Sequence, residues 1–425
     1  MNREDYKIHI VGAGISGLIA AKTLEAGGYR PVIIEATDRV GGRVKTDIIE
    51  GYQLDHGFQV LLDAYPMAKK HLDFDALKLQ KFVPGAVIFK DGKSSTIGDP
   101  LRDLSLLFST MTANIGSLGD KLKILKLNSA LKKKSLEAIF SSNETTTYEY
   151  LKEKGFSDTM IESFFRPFFA GIFLEPDLKT SSRMFEFVYK MFGEGLAVIP
   201  EAGIQVIPDQ LKAQLKYTDF NFNTRVSEVN DDHLILESGE KLKTHFTIIA
   251  TEASHLISNL KTETNWKSCD NLYFTCENRH INKSIIGLIA EKDAMINNIC
   301  FINTLNPKSS GDKELLSVTV VKDHDMSEDM LIALVKSELS TFCNIKDAEF
   351  LKRYKIPKAL PDLNQLQNNC SPTETQLKPT IFLAGDQMLN ASLNAAMVAG
   401  ERAAEGLILT LEDGLRVEEL TSEYR

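Results

Sequence analysis

The sequence is poor in the features that mark several common classes of protein. Its 425 residues contain only five cysteines, which lie far apart, with no CxxC pair and no cluster of histidines near them. This spacing supports neither a zinc site nor a disulfide framework, and it suits a reducing compartment. Lysines and arginines number 49 against 58 acidic residues, so the net charge is −9. A general nucleic-acid binder needs a basic surface, and the charge therefore argues against that class.

Long apolar runs are also missing from the sequence. No run approaches the ~20 residues that a helix needs to cross a bilayer. The first strand is expected to begin near Lys7, which leaves no room for a secretory signal with a basic start and an apolar middle. We therefore expect a soluble, cytoplasmic protein. The chain is longer than one hydrophobic core normally supports, so we also expect two closely joined domains.

The first 35 residues have the pattern of a βαβ unit. Residues 7–11 predict a short strand, and residues 15–26 predict a helix that ends at Gly27 and Gly28. Residues 31–35 then predict a second buried strand. A strand, a helix and a strand in this order are typical of the start of a parallel sheet.

The rest of the chain changes character twice. Residues 63–199 have a mostly helical pattern. Further along, four segments predict strands and one predicts a helix: strands at 226–229, 233–236, 246–250 and 316–321, and a helix at 328–339. A last apolar run at 380–384 predicts a strand that leads into a long alanine-rich helix.

A glycine motif lies where the first strand meets the first helix. Gly12, Gly14 and Gly17 form GxGxxG, together with the intervening Ala13 and Ser16. The first glycine permits a tight turn, the second lets a pyrophosphate approach the backbone, and the third lets helix and strand pack closely. The positive end of the helix and its free N–H groups favour the diphosphate. The motif therefore predicts a dinucleotide site.

The next strand adds two further signals. It ends at Glu35, 18 residues after Gly17, where a carboxylate can accept the hydroxyls of an adenosine ribose and would repel a 2′-phosphate. These features admit either NAD or FAD. Directly after the strand come Gly41, Gly42 and Arg43, which provide close backbone approach and a planar guanidinium for a phosphate. The loop at 41–43 therefore favours FAD over NAD.

The chain resembles the flavin amine oxidase superfamily, which includes protoporphyrinogen oxidases and carotenoid desaturases. The resemblance is carried by GAGISGL at 12–18, IIEATDRVGGR at 33–43, LDHGFQV at 54–60 and FLAGD at 382–386, and more weakly by IIAT at 248–251. It implies non-covalent FAD bound by the following residues: Gly12, Ala13, Gly14, Ser16, Gly17, Glu35, Ala36, Gly42, Arg43, Gly57, Phe58, Gln59, Val226, Gly385, Asp386, Leu393 and Asn394.

The resemblance also implies what several of these residues do. Glu35 would hold the ribose, Arg43 would lie near the pyrophosphate, and the backbone at 57–59 would approach the flavin. Val226 would contact adenine through its backbone, and Asp386 would meet the ribityl region. We expect Ser392 to cap the alanine-rich helix, so that the helix dipole can stabilise negative charge on the reduced flavin.

The nature of the substrate is predicted less directly. No catalytic triad, metal cluster or pair of acids stands out, and hydride transfer to a flavin requires none of them. Ser392 stands where amine oxidases carry one tyrosine of an aromatic pair, which argues against simple amine oxidation. The aromatic segment at 164–173 and the turn at 200–203, similar to one in desaturase-like members, favour a hydrophobic substrate. On sequence alone, we interpret the aromatic segment as core rather than as a substrate wall.

The predicted fold class is α/β, with a Rossmann-like FAD-binding domain and an inserted α+β substrate domain. The FAD domain is expected to comprise residues 1–62, 200–262 and 375–425, and the substrate domain residues 63–199 and 263–374. Three alternatives stay open: an amine oxidase, a flavinless partner-binding protein of the GDP-dissociation-inhibitor type, and an NAD-dependent reductase. No metal site is expected, and the catalytic residues and the electron acceptor are not assigned.

One basic stretch stands out in this acidic chain. Residues 119–134 interleave leucines with lysines. A basic amphipathic helix of this kind binds anionic membranes, which would suit a lipid-soluble substrate. The alternative is a solvated helix face, and on sequence alone we favour that alternative. His56, the histidine nearest the flavin-facing segment, is expected to orient backbone rather than to act as a base.

Overall fold

Strands and helices are mixed along the whole described chain of this computed structural model, which comprises residues 2–98, 115–258, 260, 263–305, 307–309 and 311–413. The strands are β1 Ile8–Val11, β2 Val32–Ile34, β3 Thr46–Ile49, β4 Tyr52–Asp55, β5 Leu61–Leu62, β6 Leu79–Lys81, β7 Gly85–Lys90, β8 Lys93–Gly98, β9 Ala197–Pro200, β10 Asp219–Asn221, β11 Val226–Val229, β12 His233–Leu236, β13 Lys241–Lys243, β14 Phe246–Ile249, β15 Asn265–Cys276, β16 Ile286–Ile289, β17 Ile296–Phe301, β18 Glu314–Val320, β19 Glu349–Asp362, β20 Gln376–Lys378 and β21 Ile381–Leu383.

The helices differ widely in length. They are α1 Ile15–Ala26, α2 Pro66–His71, α3 Phe74–Leu77, α4 Leu118–Lys133, α5 Leu136–Phe140, α6 Thr147–Glu153, α7 Asp158–Met160, α8 Arg166–Phe173, α9 Ser182–Glu194, α10 Val206–Ala213, α11 Glu328–Cys343 and α12 Leu393–Asp413. Short 3-10 turns occur at Arg3–Asp5, Ile302–Leu305, Pro372–Thr375 and Asp386–Met388, and a π turn at Ile161–Phe165 precedes α8.

A six-stranded sheet gathers segments from three distant parts of the chain. Its order is β10-β2-β1-β14-β21-β20, and all neighbours are parallel except β20 and β21. The central strands β1, β14 and β21 are buried on both faces, as is usual for parallel sheets, whereas the edge strand β10 is largely exposed. One face packs against α1 and α12, and the other packs against the antiparallel sheet β11-β12-β13. The predicted βαβ unit and the predicted strands at 226–229, 233–236, 246–250 and 380–384 are confirmed.

A seven-stranded sheet forms the second large unit, in the order β19-β15-β18-β17-β16-β7-β8. Alternate residues of β18 point to opposite faces: Leu316, Val318 and Val320 pack with α11, whereas Ser317 and Thr319 belong to the other face. That other face carries polar groups and contacts the helix α8. The sheet therefore presents a polar surface to the interior of the molecule.

One expectation for the middle of the chain was wrong in part. Residues 63–199 were predicted to be mostly helical, and they contain the helices α2 to α9. Residues 79–98, however, form the strands β6, β7 and β8. The physical reason is a long-range pairing: β7 lies parallel to β16, with Ala86 opposite Ile286. Because that partner is 200 residues away in sequence, the local pattern could not show that this segment forms a strand rather than a helix.

Candidate cofactor and active site

The first glycine loop is built as the motif predicts. Gly12 has a φ of 106°, and its N–H donates to the carbonyl oxygen of Ile34 over 2.8 Å. A Cβ on Gly17 would lie 2.1 Å from the carbonyl oxygen of Gly12, so this position accepts only glycine. A Cβ on Gly14 would meet nothing within 4 Å, and no side chain caps the start of α1. The N-terminus of α1 therefore opens onto free space.

The second loop docks directly on the first. The N–H of Gly41 donates to the carbonyl oxygen of Ala13 over 2.9 Å, and Gly41 forms a parallel bridge with Gly14. A Cβ on Gly42 would lie 3.3 Å from the Cα of Gly14. The two glycine loops thus form one continuous backbone cradle at the helix N-terminus, which is the geometry that binds a pyrophosphate.

Glu35 lies at the end of β2, beside this cradle. One carboxylate oxygen accepts a hydrogen bond from the N–H of Ala13 over 2.8 Å, and the other accepts from the backbone and side chain of Thr37 over 2.9 and 2.8 Å. These bonds fix the carboxylate in place. Each carboxylate oxygen can accept two hydrogen bonds, so the group can still receive a ribose hydroxyl from the cavity that it lines.

Arg43 and Asp386, from opposite ends of the chain, meet across the cradle. The Nη2 of Arg43 lies 2.5 Å from the Oδ1 of Asp386, and its Nη1 donates to the carbonyl oxygen of Ala359 over 3.1 Å. The guanidinium also lies over the ring of Trp266, at 5.3 Å from the centroid. The cation is therefore held by three distant segments while it still lines the cavity.

The lone tryptophan also contacts a second ion pair, between Glu252 and Lys358. The indole N–H of Trp266 donates to Glu252 over 3.3 Å, and Lys358 donates to the same carboxylate. Burial acts to raise the pKa of Glu252, but the bonds from Lys358 and Trp266 together hold that pKa below its usual value. Sequence reasoning missed these residues, because nothing local links β19 to the glycine loops.

Asp47 ties three elements together beside the second loop. Its carboxylate accepts from Arg39 over 2.6 Å and from Tyr354 over 2.9 Å, and it lies 2.8 Å from the Nε2 of His56. Burial alone would raise its pKa, but these three partners lower the pKa of Asp47 to about 2. His56 also stacks on Tyr354, with ring centroids 4.5 Å apart. The side chain of His56 is therefore held between Asp47 and Tyr354.

The loop at residues 57–59 is fixed at its other end as well. The side-chain amide of Gln59 donates to the carbonyl oxygens of Arg43 and His56, each over 2.8 Å. Gly57 has a φ of 100°, which favours glycine. The backbone of this loop therefore lines the cavity in one fixed conformation.

The start of α12 supplies the opposite wall. The Oγ of Ser392 accepts from the N–H of Ala395 over 3.0 Å, so the predicted cap is confirmed. The same hydroxyl donates to the side chain of Asn390 over 2.6 Å. Both of these bonds stabilise the start of the helix. Asn394 is buried, and its side chain accepts from the N–H of Met67 over 3.0 Å.

All of these segments surround one cavity of about 1920 Å³. All but three of the predicted cofactor residues line it; the exceptions are Ala13, Gly17 and Asn394. The N–H of Ala13 donates to Glu35, and the absence of a side chain at Gly17 lets α1 pack against the first loop. The side chain of Asn394 bonds the start of α12 to α2. The cavity exceeds the ~300–1,000 Å³ of ordinary small-molecule pockets, so it has room for a large cofactor and a substrate together.

The aromatic segment at 164–173 divides between core and cavity. Phe165, Phe169 and Phe173 are fully buried in the core. Phe164, Phe168 and Ile172, each one position earlier, line the cavity. Residues four apart share one face of a helix, so the two sets form adjacent faces of the same segment. The core interpretation is therefore wrong for the second set.

Part of the cavity wall is polar. Asn298 and Thr319 line the cavity from the seven-stranded sheet, and Asn298 donates to Thr319 over 3.2 Å. Arg353 also lines it and donates to the buried carboxylate of Asp270 over 2.6 Å. These residues were not predicted, because they come together only when the sheet forms.

The residues present fit FAD. The open position at Gly14, the backbone cradle, the carboxylate of Glu35 and the cation of Arg43 match a diphosphate and a ribose, and the loop at 57–59 faces the start of α12 across the remaining space. In the part of the chain that the structure describes, no group of three or more histidine, cysteine and acidic residues could hold a metal. The fold and the site together define an FAD-dependent oxidoreductase.

Comparison with known proteins gives the family. The chain belongs to the family of flavin containing amine oxidoreductases, whose model matches residues 15–408. It is 27% identical over 165 residues to protoporphyrinogen oxidase 2, chloroplastic/mitochondrial, of Arabidopsis thaliana, which covers 39% of this chain and 32% of the relative. It is 30% identical over 158 residues to an L-amino-acid oxidase of Daboia russelii, which covers 35% of this chain and 31% of the relative.

These matches span about a third of the length of the curated relatives. Among solved structures, a putative protoporphyrinogen oxidase from Exiguobacterium sp. 255-15 is similar with a TM-score of 0.69 and 17% identity, over 96% of this chain and 100% of that one. This likeness shows a shared fold. The family to which the chain belongs is one of flavin-containing oxidoreductases. No described helix is both long and apolar enough to cross a membrane.

Proposed function

We propose that the enzyme oxidises a hydrophobic organic substrate by transferring a hydride from it to FAD, as desaturases and protoporphyrinogen oxidases do. One observation carries this proposal: the cavity that contains the cofactor cradle continues into an apolar wall formed by α8 and α9. That wall includes Phe164, Phe168, Ile172, Val188 and Phe192. An apolar substrate would gain about 25 cal/mol for each Å² that it buries against such a wall.

The distribution of acidic residues supports the same substrate class. The acids that line the cavity within the described chain are Glu35, Asp47, Glu252 and Asp386. Glu35 belongs to the ribose site, and the other three are already bonded to cations. A buried ammonium group needs a partner of opposite charge or an aromatic cage. The aromatic wall carries no free acid of this kind, which favours an uncharged substrate over an amine.

The residues of the chain then have distinct tasks. Bound FAD would supply the hydride acceptor, the N5 atom of its ring. Arg43 places a fixed cation at the cradle, and the loop at 57–59 supports the ring region through its backbone. The N-terminus of α12 directs a positive dipole end into the cavity and stabilises negative charge there. The aromatic wall excludes water and positions the substrate.

Three further points belong to the proposal. FAD is bound non-covalently, because Cys269, a cysteine that lines the cavity, is a poor nucleophile: burial, with help from Asp270, raises the pKa of its thiol to about 12. The domain division stated above follows the two large sheets. The enzyme acts in the cytoplasm, which fractionation of cells would test.

The test begins with the cofactor and then compares substrate classes. Purified protein should be yellow and should release intact FAD on denaturation, as identified by mass spectrometry. Under anaerobic conditions, apolar compounds with an oxidisable C–H or N–H bond should bleach the flavin absorbance. Diamines and amino acids should leave it unchanged. Oxygen and quinones are then compared as acceptors that restore the absorbance.

A pair of variants makes this test specific. Phe168→Asp places a charge in the apolar wall and should abolish bleaching by the apolar compound while FAD stays bound. Lys336→Asp, on the outer helix α11, serves as the control. Bleaching by amines but not by apolar compounds would overturn the proposal in favour of amine oxidation. A colourless protein that cannot be reconstituted with FAD would overturn the cofactor assignment itself.

A further inference from the structure

Three leucines of α4 lie exposed in one row. Leu118 is 72% exposed, Leu122 67% and Leu125 40%. Their spacing of four and three residues places them within about 60° of one another around the helix axis. Single exposed apolar side chains are common on protein surfaces, but three on one stripe of one helix are unusual. We call these three residues the leucine stripe.

The opposite side of α4 is fixed to the rest of the protein. Leu127 and Leu131 are buried in the core. Asp120 is also buried, and it accepts hydrogen bonds from Ser117 and Ser157 over 2.7 to 2.9 Å. These residues lie about 120° to 180° around the helix from the members of the stripe. The leucine stripe therefore faces outward because the other face of the helix is already packed.

Lysines flank the stripe on both sides. Lys126 and Lys133 lie on one side and Lys132 on the other, and all three are exposed. The only acidic residue of α4 is the buried Asp120. The outward face of this helix thus carries only positive charge, in a chain whose net charge is −9. Exposed leucines between lysines are the pattern of a helix that lies in a lipid interface.

The leucine stripe is continuous with the cavity. Leu118, Leu122 and Leu125 line the cavity as well as the surface, so the cavity opens at α4. Phe164 and Phe168 line the same cavity further in, where they stack on each other with centroids 5.6 Å apart. An apolar path therefore leads from the outer face of α4 towards the cofactor.

We propose that α4 docks the enzyme on an anionic lipid bilayer, with the leucine stripe inserted among the acyl chains and the flanking lysines on the headgroups. Charge complementarity identifies the occupant, because a neutral apolar partner would make no use of the lysines. The exposure of the three leucines reverses the preference that the sequence alone gave for a solvated face. The docking does not depend on the proposed oxidation, although it would place the cavity mouth against the membrane.

Vesicle binding tests the proposal directly. The full-length, FAD-loaded protein should co-sediment with vesicles of phosphatidylcholine mixed with phosphatidylglycerol, and much less with phosphatidylcholine alone. Added salt should weaken the binding, because screening acts on the lysine–headgroup attraction. Leu122→Asp should abolish co-sedimentation. Met330→Asp is the matched control, since Met330 is 60% exposed on the distant helix α11, and it should bind as the unmodified protein does.

The lysines have their own matched pair of variants. Lys126→Glu should weaken binding to anionic vesicles at least about fivefold, because each basic residue at the surface contributes about 1 kcal/mol. Lys336→Glu, exposed on α11, should have little effect. Flavin absorbance and melting temperature show that each variant is folded.

Two results would overturn the docking proposal. The first is absence of binding to anionic vesicles, or equal binding by Leu122→Asp and Met330→Asp. The second is a dimer in solution that Leu122→Asp converts to a monomer, since a second copy of the chain would then cover the stripe. Neither result involves the substrate, so failure of the docking leaves the proposed oxidation standing. Failure of the oxidation likewise leaves vesicle binding interpretable.

Discussion

The two ends of the cavity are built by different means. At the cofactor end, backbone groups of Gly12, Gly14 and Gly42 form the surface, and a few charged side chains complete it. At the end that we propose for the substrate, side chains from α8, α9 and the seven-stranded sheet form the surface. A backbone cradle depends on the absence of side chains, whereas an aromatic wall depends on their presence. Substitutions should therefore affect the two ends in opposite ways.

The largest effect is expected within the aromatic segment. Phe169→Ala removes a fully buried ring and should lower the free energy of unfolding by about 3–5 kcal/mol. Phe168→Ala, one position earlier, removes a ring that lines the cavity; it should cost less stability and instead raise the KM for an apolar substrate. Chemical denaturation and steady-state kinetics measure the two effects. Equal losses of stability would contradict the division of this segment into core and wall.

At the cofactor end, two glycines should respond differently to the same substitution. Gly17→Ala forces a methyl group against the carbonyl oxygen of Gly12 and should destabilise the fold by about 1–3 kcal/mol or more. Gly14→Ala adds a methyl group in open space, so the apoprotein should unfold almost as before. Its affinity for FAD should fall at least about tenfold, which corresponds to 1.4 kcal/mol. Thermal unfolding without cofactor and fluorescence titration with FAD separate the two cases.

Arg43 should matter for the cofactor but not for the aromatic wall. Arg43→Ala leaves the buried carboxylate of Asp386 without its partner, and the loss of charged hydrogen bonds should cost about 1.5–3 kcal/mol of FAD affinity. Arg43→Lys should recover only part of this, because lysine lacks the planar donor fork. Lys336→Ala is a control on α11. Unchanged FAD titration by Arg43→Ala would place the pyrophosphate elsewhere.

The smallest effect is expected from acid at Asp47. Its pKa is lowered from 3.8 to about 2, so the unfolded chain takes up the proton more readily than the folded one as the pH falls from about 4 towards 2. The stabilising contribution of this carboxylate is thus complete above pH 4 and is lost on acidification. Asp47→Asn should be less stable than the unmodified protein at pH 7, and the difference should shrink at pH 3. Denaturation at both pH values measures it.

Much of the cofactor end could be predicted from the sequence. Short sequence motifs predict contacts within one strand–helix junction or one helix end. The conformations of the glycine loops, of Glu35 and of the Ser392 cap depend on contacts of this kind. Four strands of the six-stranded sheet, β1, β2, β14 and β21, could also be predicted, because continuous apolar runs bounded by turns mark buried strands. The two edge strands, β10 and β20, were not predicted. The family resemblance assigned Asp386 to the site, and its segment follows such a strand.

Only the tertiary structure decided the substrate end and the outer surface. Asn298, Thr319 and Arg353 share one cavity because the strands of the seven-stranded sheet pair over long distances in the chain. The periodicity of residues 164–173 is the same for core and cavity, so the sequence could not tell Phe168 from Phe169. Likewise, leucines on α4 have the same spacing whether they are buried or exposed; only the packing of Leu127 and Leu131 turned Leu118 and Leu122 outward. Local motifs determined the glycine cradle, and long-range packing determined what faces it.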